Sequence, residues 1–141
     1  NRSITGEGVR QTFSQIKKIL PKLKIHEIES KREVFDWQIP LEWNIKNAFI
    51  KKEKKIILDF KKNNLHLVGY SQPINKTLNL KELKKKIHFL KKIPNAIPYV
   101  VSYYKKDWGF CMPFNKYKKL KKGNYKVIID SSFKKGSMSF V

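Results

Sequence analysis

Cysteine occurs once, at Cys111. No intramolecular disulfide can form, and the expected setting is reducing and cytoplasmic. Arginine is nearly missing as well: Arg2, Arg10 and Arg32 are its only positions, and lysine carries the rest of a formal net charge of +21. Such a charge attracts polyanions in general. Without the forked guanidinium contacts that readers of nucleic acid favour, a nucleic-acid partner is disfavoured. No apolar run approaches the roughly 18 residues that cross a bilayer, and no membrane partner is expected. A leader of basic start, apolar centre and small-residue cleavage site is also missing. Histidine is scarce, and His26, His66 and His88 fall on separate segments with no HxxxH or CxxC spacing. Metal centres need several ligands at suitable spacing, so no metal site is read here.

The 141 residues suffice for one domain with a real core. A hydrophobic content of 40% with 13% aromatics marks a globular chain. Val9, Phe13, Ile16, Ile19 and Leu20 recur at helical spacing, which predicts a helix over 9–20 ended by Pro21. Ser3 or Thr5 is the expected cap, and Gly6-x-Gly8 reads as a helix-entry turn. Strands are expected at 24–30, 33–39, 48–52, 55–60 and 65–70. In the second of these, Phe35, Trp37 and Ile39 would share one face. A helix is expected over 80–90, with Asn79 and Glu82 as a capping-box variant and Leu80, Leu83, Ile87 and Leu90 as its buried stripe. Strands at 100–104, 109–112, 125–130 and 136–141 follow, with a short helical turn at 116–120. The fold class expected is α+β with a β-rich, largely antiparallel middle and two helices. The chain lacks an initiator methionine and stops on what reads as an unfinished strand, so a piece of a longer protein is expected.

The stretch IPYVVSYYKKDWGFCMP, residues 97–113, gathers Tyr99, Tyr103, Tyr104, Trp108 and Phe110 around Asp107 and Cys111. Such a cluster is either a corner of the core or the wall of a cleft. Cys111 between Phe110 and Met112 reads as structural, because apolar burial raises a thiol's pKa. His26 with Glu27 and Glu29 is the one acid–histidine cluster. No complete catalytic set is present.

Six segments in order carry a family resemblance: NRSITGEGVRQT, KIHEIES, FDWQIPLEWNI, NLHLVGYSQPI, IPYVVSYYKKDWGFCMP and YKVIIDSSFKKGSMSF. Together they resemble the N-terminal half of bacterial aminopeptidase-like proteins met in polysaccharide-biosynthesis gene clusters. These are similar to co-catalytic zinc exopeptidases with a β-rich domain of unknown function inserted early in the fold. The resemblance implies first elements of an α/β peptidase domain over 1–30, the β-rich insert over 31–124, and return strands over 125–141. It also implies zinc in the full-length protein only, held by residues beyond this chain, with no catalytic or metal residue here. Its implied partners are the remainder of the polypeptide, a peptide or aminoacyl-like small substrate, and a second copy in a homo-oligomer. Arg2, Tyr103, Tyr104 and Trp108 are the expected substrate-binding residues, since cationic and aromatic groups recognise carboxylates and sugars. The alternative function is a noncatalytic basic module for nucleic acid or anionic polysaccharide, marked by affinity that falls steeply with salt.

Overall fold

Lys126 and Asp130 face water while Tyr125, Val127 and Ile129, alternating with them, are buried, the period-two signature of a strand with one face on a core. That core belongs to one of two units in the computed structural model, which describes residues 3–141. The first unit takes the chain up to Asn44 together with Ser132–Val141, and the second takes Ile45–Ser131.

The first unit holds helix α1 (Glu7–Ile19), strand β1 (His26–Glu29) and the short hairpin β2 (Glu33–Val34) and β3 (Trp37–Gln38). The first three residues of β4 (Glu42–Lys52) also belong to it. Helix α1 starts two residues before the expected Val9 and has no side-chain cap. Thr5 is instead 1% exposed, accepting from the Trp43 amide at 3.2 Å and donating to the Leu41 carbonyl at 3.5 Å. The strand expected over 33–39 is corrected to that hairpin. Phe35, at a φ of 56°, forms its turn with Asp36 and is fully exposed, whereas Ile39 is buried. The alternation of apolar residues hid the turn, because Phe35 has no cue favouring positive φ.

The expected apolar stripe of α1 is only partly covered: Val9, Phe13 and Ile16 are half-buried, and Ile19 is 81% exposed. Gly6 enters this helix at a φ of 92°, and a Cβ there would lie 2.7 Å from the Trp43 carbonyl oxygen. Gly6→Ala is therefore expected to lose about 1–3 kcal/mol of stability, read by chemical denaturation.

The second unit is organised by a four-stranded sheet in the order β5-β4-β9-β6. It uses the remainder of β4, then β5 (Lys55–Asp59), β6 (Ile74–Asn79) and most of β9 (Asn124–Lys134). Strands β4 and β5 form an antiparallel hairpin with Glu53 at positive φ in its turn. Strand β6 pairs antiparallel with β9 from Ile74 opposite Ile129 to Asn79 opposite Asn124. The strand expected over 65–70 is corrected to a 3-10 turn, Asn64–His66, capped by the Asn63 side chain, with only isolated bridges at Leu67 and Gly69 beyond it.

Helix α2 (Leu80–Lys84) has the expected capping box, Asn79 and Glu82 exchanging bonds at 3.0 Å. It ends well short of the expected Leu90. Ile87 and His88 form β7 instead, paired parallel with β8 (Phe110–Cys111), while Leu90 is 43% exposed. Helix α3 (Phe114–Tyr117) starts two residues before the helical turn expected at 116–120 and overlaps its first two residues. Strand β9 runs beyond the expected 130, and β10 (Ser137–Phe140) pairs with β1 in the first unit. The α+β class with mostly antiparallel sheets holds. Residues 100–104 contribute only an isolated bridge at Val101.

Candidate functional site

The aromatic segment after Ile97 is held by backbone bonds to residues 68–72 of the same unit. The Gly69 amide donates to the Val100 carbonyl at 2.9 Å, and the Ser102 amide returns a bond to the Gly69 carbonyl at 3.0 Å. Further on, the Gln72 amide donates to the Asp107 carbonyl at 2.9 Å. A side chain on Gly69 would meet Val101 Cγ1 at 3.0 Å, so the close approach of these two segments suits glycine.

Between these anchors the segment turns outward. Tyr103 packs edge-on against Tyr70 with centroids 5.1 Å apart and meets Tyr104 at 5.0 Å. Tyr70, itself 3% exposed at a φ of 63°, supplies the fixed base of this ladder. Burial is the main cause that raises the Tyr103 phenol above its ordinary pKa, which keeps it a neutral donor. Tyr104 is 81% exposed and Tyr99 73% exposed. Rings held by neighbours yet open to water offer contact area at low entropic cost.

Trp108 belongs to a separate contact. The Lys86 ammonium sits 5.3 Å from the Trp108 ring centroid and bonds Asp107 Oδ1 at 2.5 Å. The Trp108 amide donates to the same oxygen at 2.8 Å. The Lys86 bond first, and this amide second, hold the Asp107 carboxyl below its usual range. Asp107 is thus an ionised, already paired group and not a free proton acceptor. Of the expected substrate-binding residues, Tyr103 and Tyr104 touch each other, Trp108 joins Lys86, and Arg2 lies outside the described residues. Tyr70 and Lys86 were missed by the sequence reading. Only the turn-like GYSQP and the lysine run before Ile87 marked their surroundings.

The other end of the segment is core. Phe110 and Cys111 are fully buried, and burial pushes the Cys111 thiol up to about 12. It is a small buried hydrophobe, as its sequence context predicts. His66 is buried, and its Nδ1–H donates to the Cys111 carbonyl at 2.9 Å. Burial lowers its pKa, leaving the ring neutral near pH 7. Among the described residues, no group of three or more His, Cys, Asp or Glu side chains could hold a metal ion. The residues present do not fit a zinc centre. No helix is long and apolar enough to cross a membrane among the described residues.

The described residues thus form an α+β fold that carries a ladder of tyrosines on a backbone-anchored loop. Residues 42–132 match the family described as domain of unknown function DUF2172, and the chain belongs to that family. It is 48% identical over 140 residues to a Clostridium acetobutylicum protein described as a candidate polysaccharide biosynthesis protein with an aminopeptidase-like domain. That match covers 99% of this chain and 32% of the relative, so the chain spans about a third of the length of the curated relative it matches. A crystal structure of a candidate peptidase from Clostridium acetobutylicum superposes with a TM-score of 0.92 at 48% identity. It covers 98% of this chain and 33% of that one.

Proposed function

We propose that this chain is the front portion of a zinc-dependent aminopeptidase-like hydrolase whose β-rich unit shapes or covers the active-site cleft. In this reading the catalytic zinc is held by residues of the remaining polypeptide, and the chain alone does not cleave peptides. The observation that carries the proposal is the 48% identity across 99% of the chain to a third of an aminopeptidase-like relative. The partly covered helix α1 supports it. Its stripe runs from half-buried Val9, Phe13 and Ile16 to exposed Ile19, apolar surface that more protein would cover. In this reading the insert spans 31–124, a range that overlaps the second unit, Ile45–Ser131, and the family match over 42–132.

The substrate is a peptide or aminoacyl-like small molecule, and Tyr103, Tyr104 and Trp108 border its path. Tyr104→Ala and Trp108→Ala in the full-length protein are expected to raise KM for an aminoacyl substrate about tenfold while Tm changes little. An unchanged KM with a lowered Tm would assign these rings to packing and overturn the cleft role.

A further inference from the structure

A pocket of about 430 Å³ opens in the second unit between the β4–β5 hairpin, the 3-10 turn at Asn64–His66 and the chain that follows α3. Its size lies within the roughly 300–1,000 Å³ typical of small-molecule sites. The floor is built and dry: Leu58, Met112 and Tyr125 are each under 5% exposed, and His66 is buried beside them. The rim is of one sign. Lys52 and Lys55 come from the hairpin, and Lys116, Lys119 and Lys121 from α3 and the turn after it. No carboxylate lines the pocket, and none of these five ammonium groups forms an ion pair among the described residues.

Lysine is common throughout the chain, and Lys86 and Lys134 are each paired with a carboxylate, whereas the five at this rim have none among the described residues. Here it converges over an apolar floor, where low-dielectric walls focus the field of the rim. Lys52 shows how far the geometry is fixed, since its ammonium donates to the Lys122 carbonyl at 2.8 Å and lies 5.5 Å from the Tyr125 ring centroid. Lysine acts on phosphate as a point charge, and five of them exceed what a single carboxylate needs. The apolar floor in turn has no use for a bare inorganic ion.

We propose that this pocket binds a phosphate monoester carried on an apolar body, the phosphate among the rim lysines and the body against Leu58 and Met112. The ligand is either a free alkyl phosphate or the headgroup and first carbons of a bilayer phosphomonoester lipid. This proposal does not depend on the peptidase reading above. His66 reports on occupancy. With its proton on Nδ1 toward the Cys111 carbonyl, burial and then the charge of Lys116 hold its pKa down, while the Cys111 bond and Asp59 act the other way. A bound dianion raises it.

The test is calorimetric titration of the intact protein with decyl phosphate below its micelle concentration, beside inorganic phosphate and vesicles of phosphatidylcholine with phosphatidic acid. Saturable one-site binding of decyl phosphate is expected, weakened roughly tenfold or more by the exposed pair Lys116→Gln with Lys119→Gln. The pKa of His66, followed by NMR, is expected to rise on binding. Vesicle binding that the same double variant abolishes, without binding of free decyl phosphate, identifies the lipid source. Inorganic phosphate binding as tightly as decyl phosphate would overturn the proposal. So would affinity indifferent to the double variant, or no binding to either probe.

Discussion

Phe110→Ala is expected to cost about 3–5 kcal/mol, the usual range for truncating a buried aromatic whose surroundings relax only in part. Phe110 is fully buried, and its amide donates to the Lys86 carbonyl at 2.8 Å in the parallel pairing of β7 with β8. It also bridges to Leu67 on the other side. A void there loosens two segments at once, because the neighbours that would fill it are fixed by backbone bonds. Urea denaturation of wild type and variant checks the value, and a loss below about 1 kcal/mol would contradict this placement. Phe110→Leu, which conserves much of the volume, is expected to recover most of the loss.

Arg10→Ala carries the second large effect, in the first unit. Glu42 has a side chain only 3% exposed, and Arg10 Nη2 reaches its Oε1 at 2.8 Å. Asn44 Nδ2 donates to the same oxygen at 3.0 Å, and Lys134 lies 3.8 Å away. Burial pushes the Glu42 pKa up, but the Arg10 and Asn44 bonds with the charges of Arg10 and Lys134 outweigh it, and the net shift is downward. Removing one partner of a buried pair strands the other, so Arg10→Ala is expected to cost about 3 kcal/mol near neutral pH, with Asn44 and Lys134 limiting the loss.

The pH dependence follows from the sign of that shift. A carboxyl with a lowered folded pKa stabilises the fold above its ordinary range, and the contribution fades as pH falls through the folded value. In wild type this acid limb is present. In Arg10→Ala burial dominates Glu42 and the sign reverses: its penalty is largest near neutral pH and is relieved as the carboxyl protonates, so the gap to wild type is expected to narrow as pH falls. Equilibrium unfolding from pH 3 to 7 reads it, and parallel curves for the two proteins would remove Glu42 as the cause.

Elements whose apolar residues face a single core were legible in the sequence. Strand β9 alternates cleanly because one face meets water, and α1 follows its helical spacing within two residues. The capping box at Asn79 and Glu82 needs only local chemistry and was legible for that reason. Strand β6 was not, because it lies at an edge of the sheet and its sequence INKTLN has no buried residue to mark a face. Helix α2 was overextended because Ile87 continues the helical stripe, while its actual partner, Phe110, lies far along the chain. Of the candidate site, the contact of Tyr103 with Tyr104 follows from adjacency. Tyr70 beneath them, the grip of Lys86 on Asp107, and the convergence of rim lysines from two distant segments are tertiary facts that no local pattern records.

The resemblance of six ordered segments reached the aminopeptidase-like relatives before any fold was visible. Among the described residues no metal-ligand cluster is assembled, and the apolar stripe of α1 is at most half-buried. Metal analysis of the purified full-length protein beside this chain alone is the most direct test. The account predicts zinc retained by the full-length protein and none by the chain. Stoichiometric zinc on the chain alone, or none on a folded full-length protein, would contradict it.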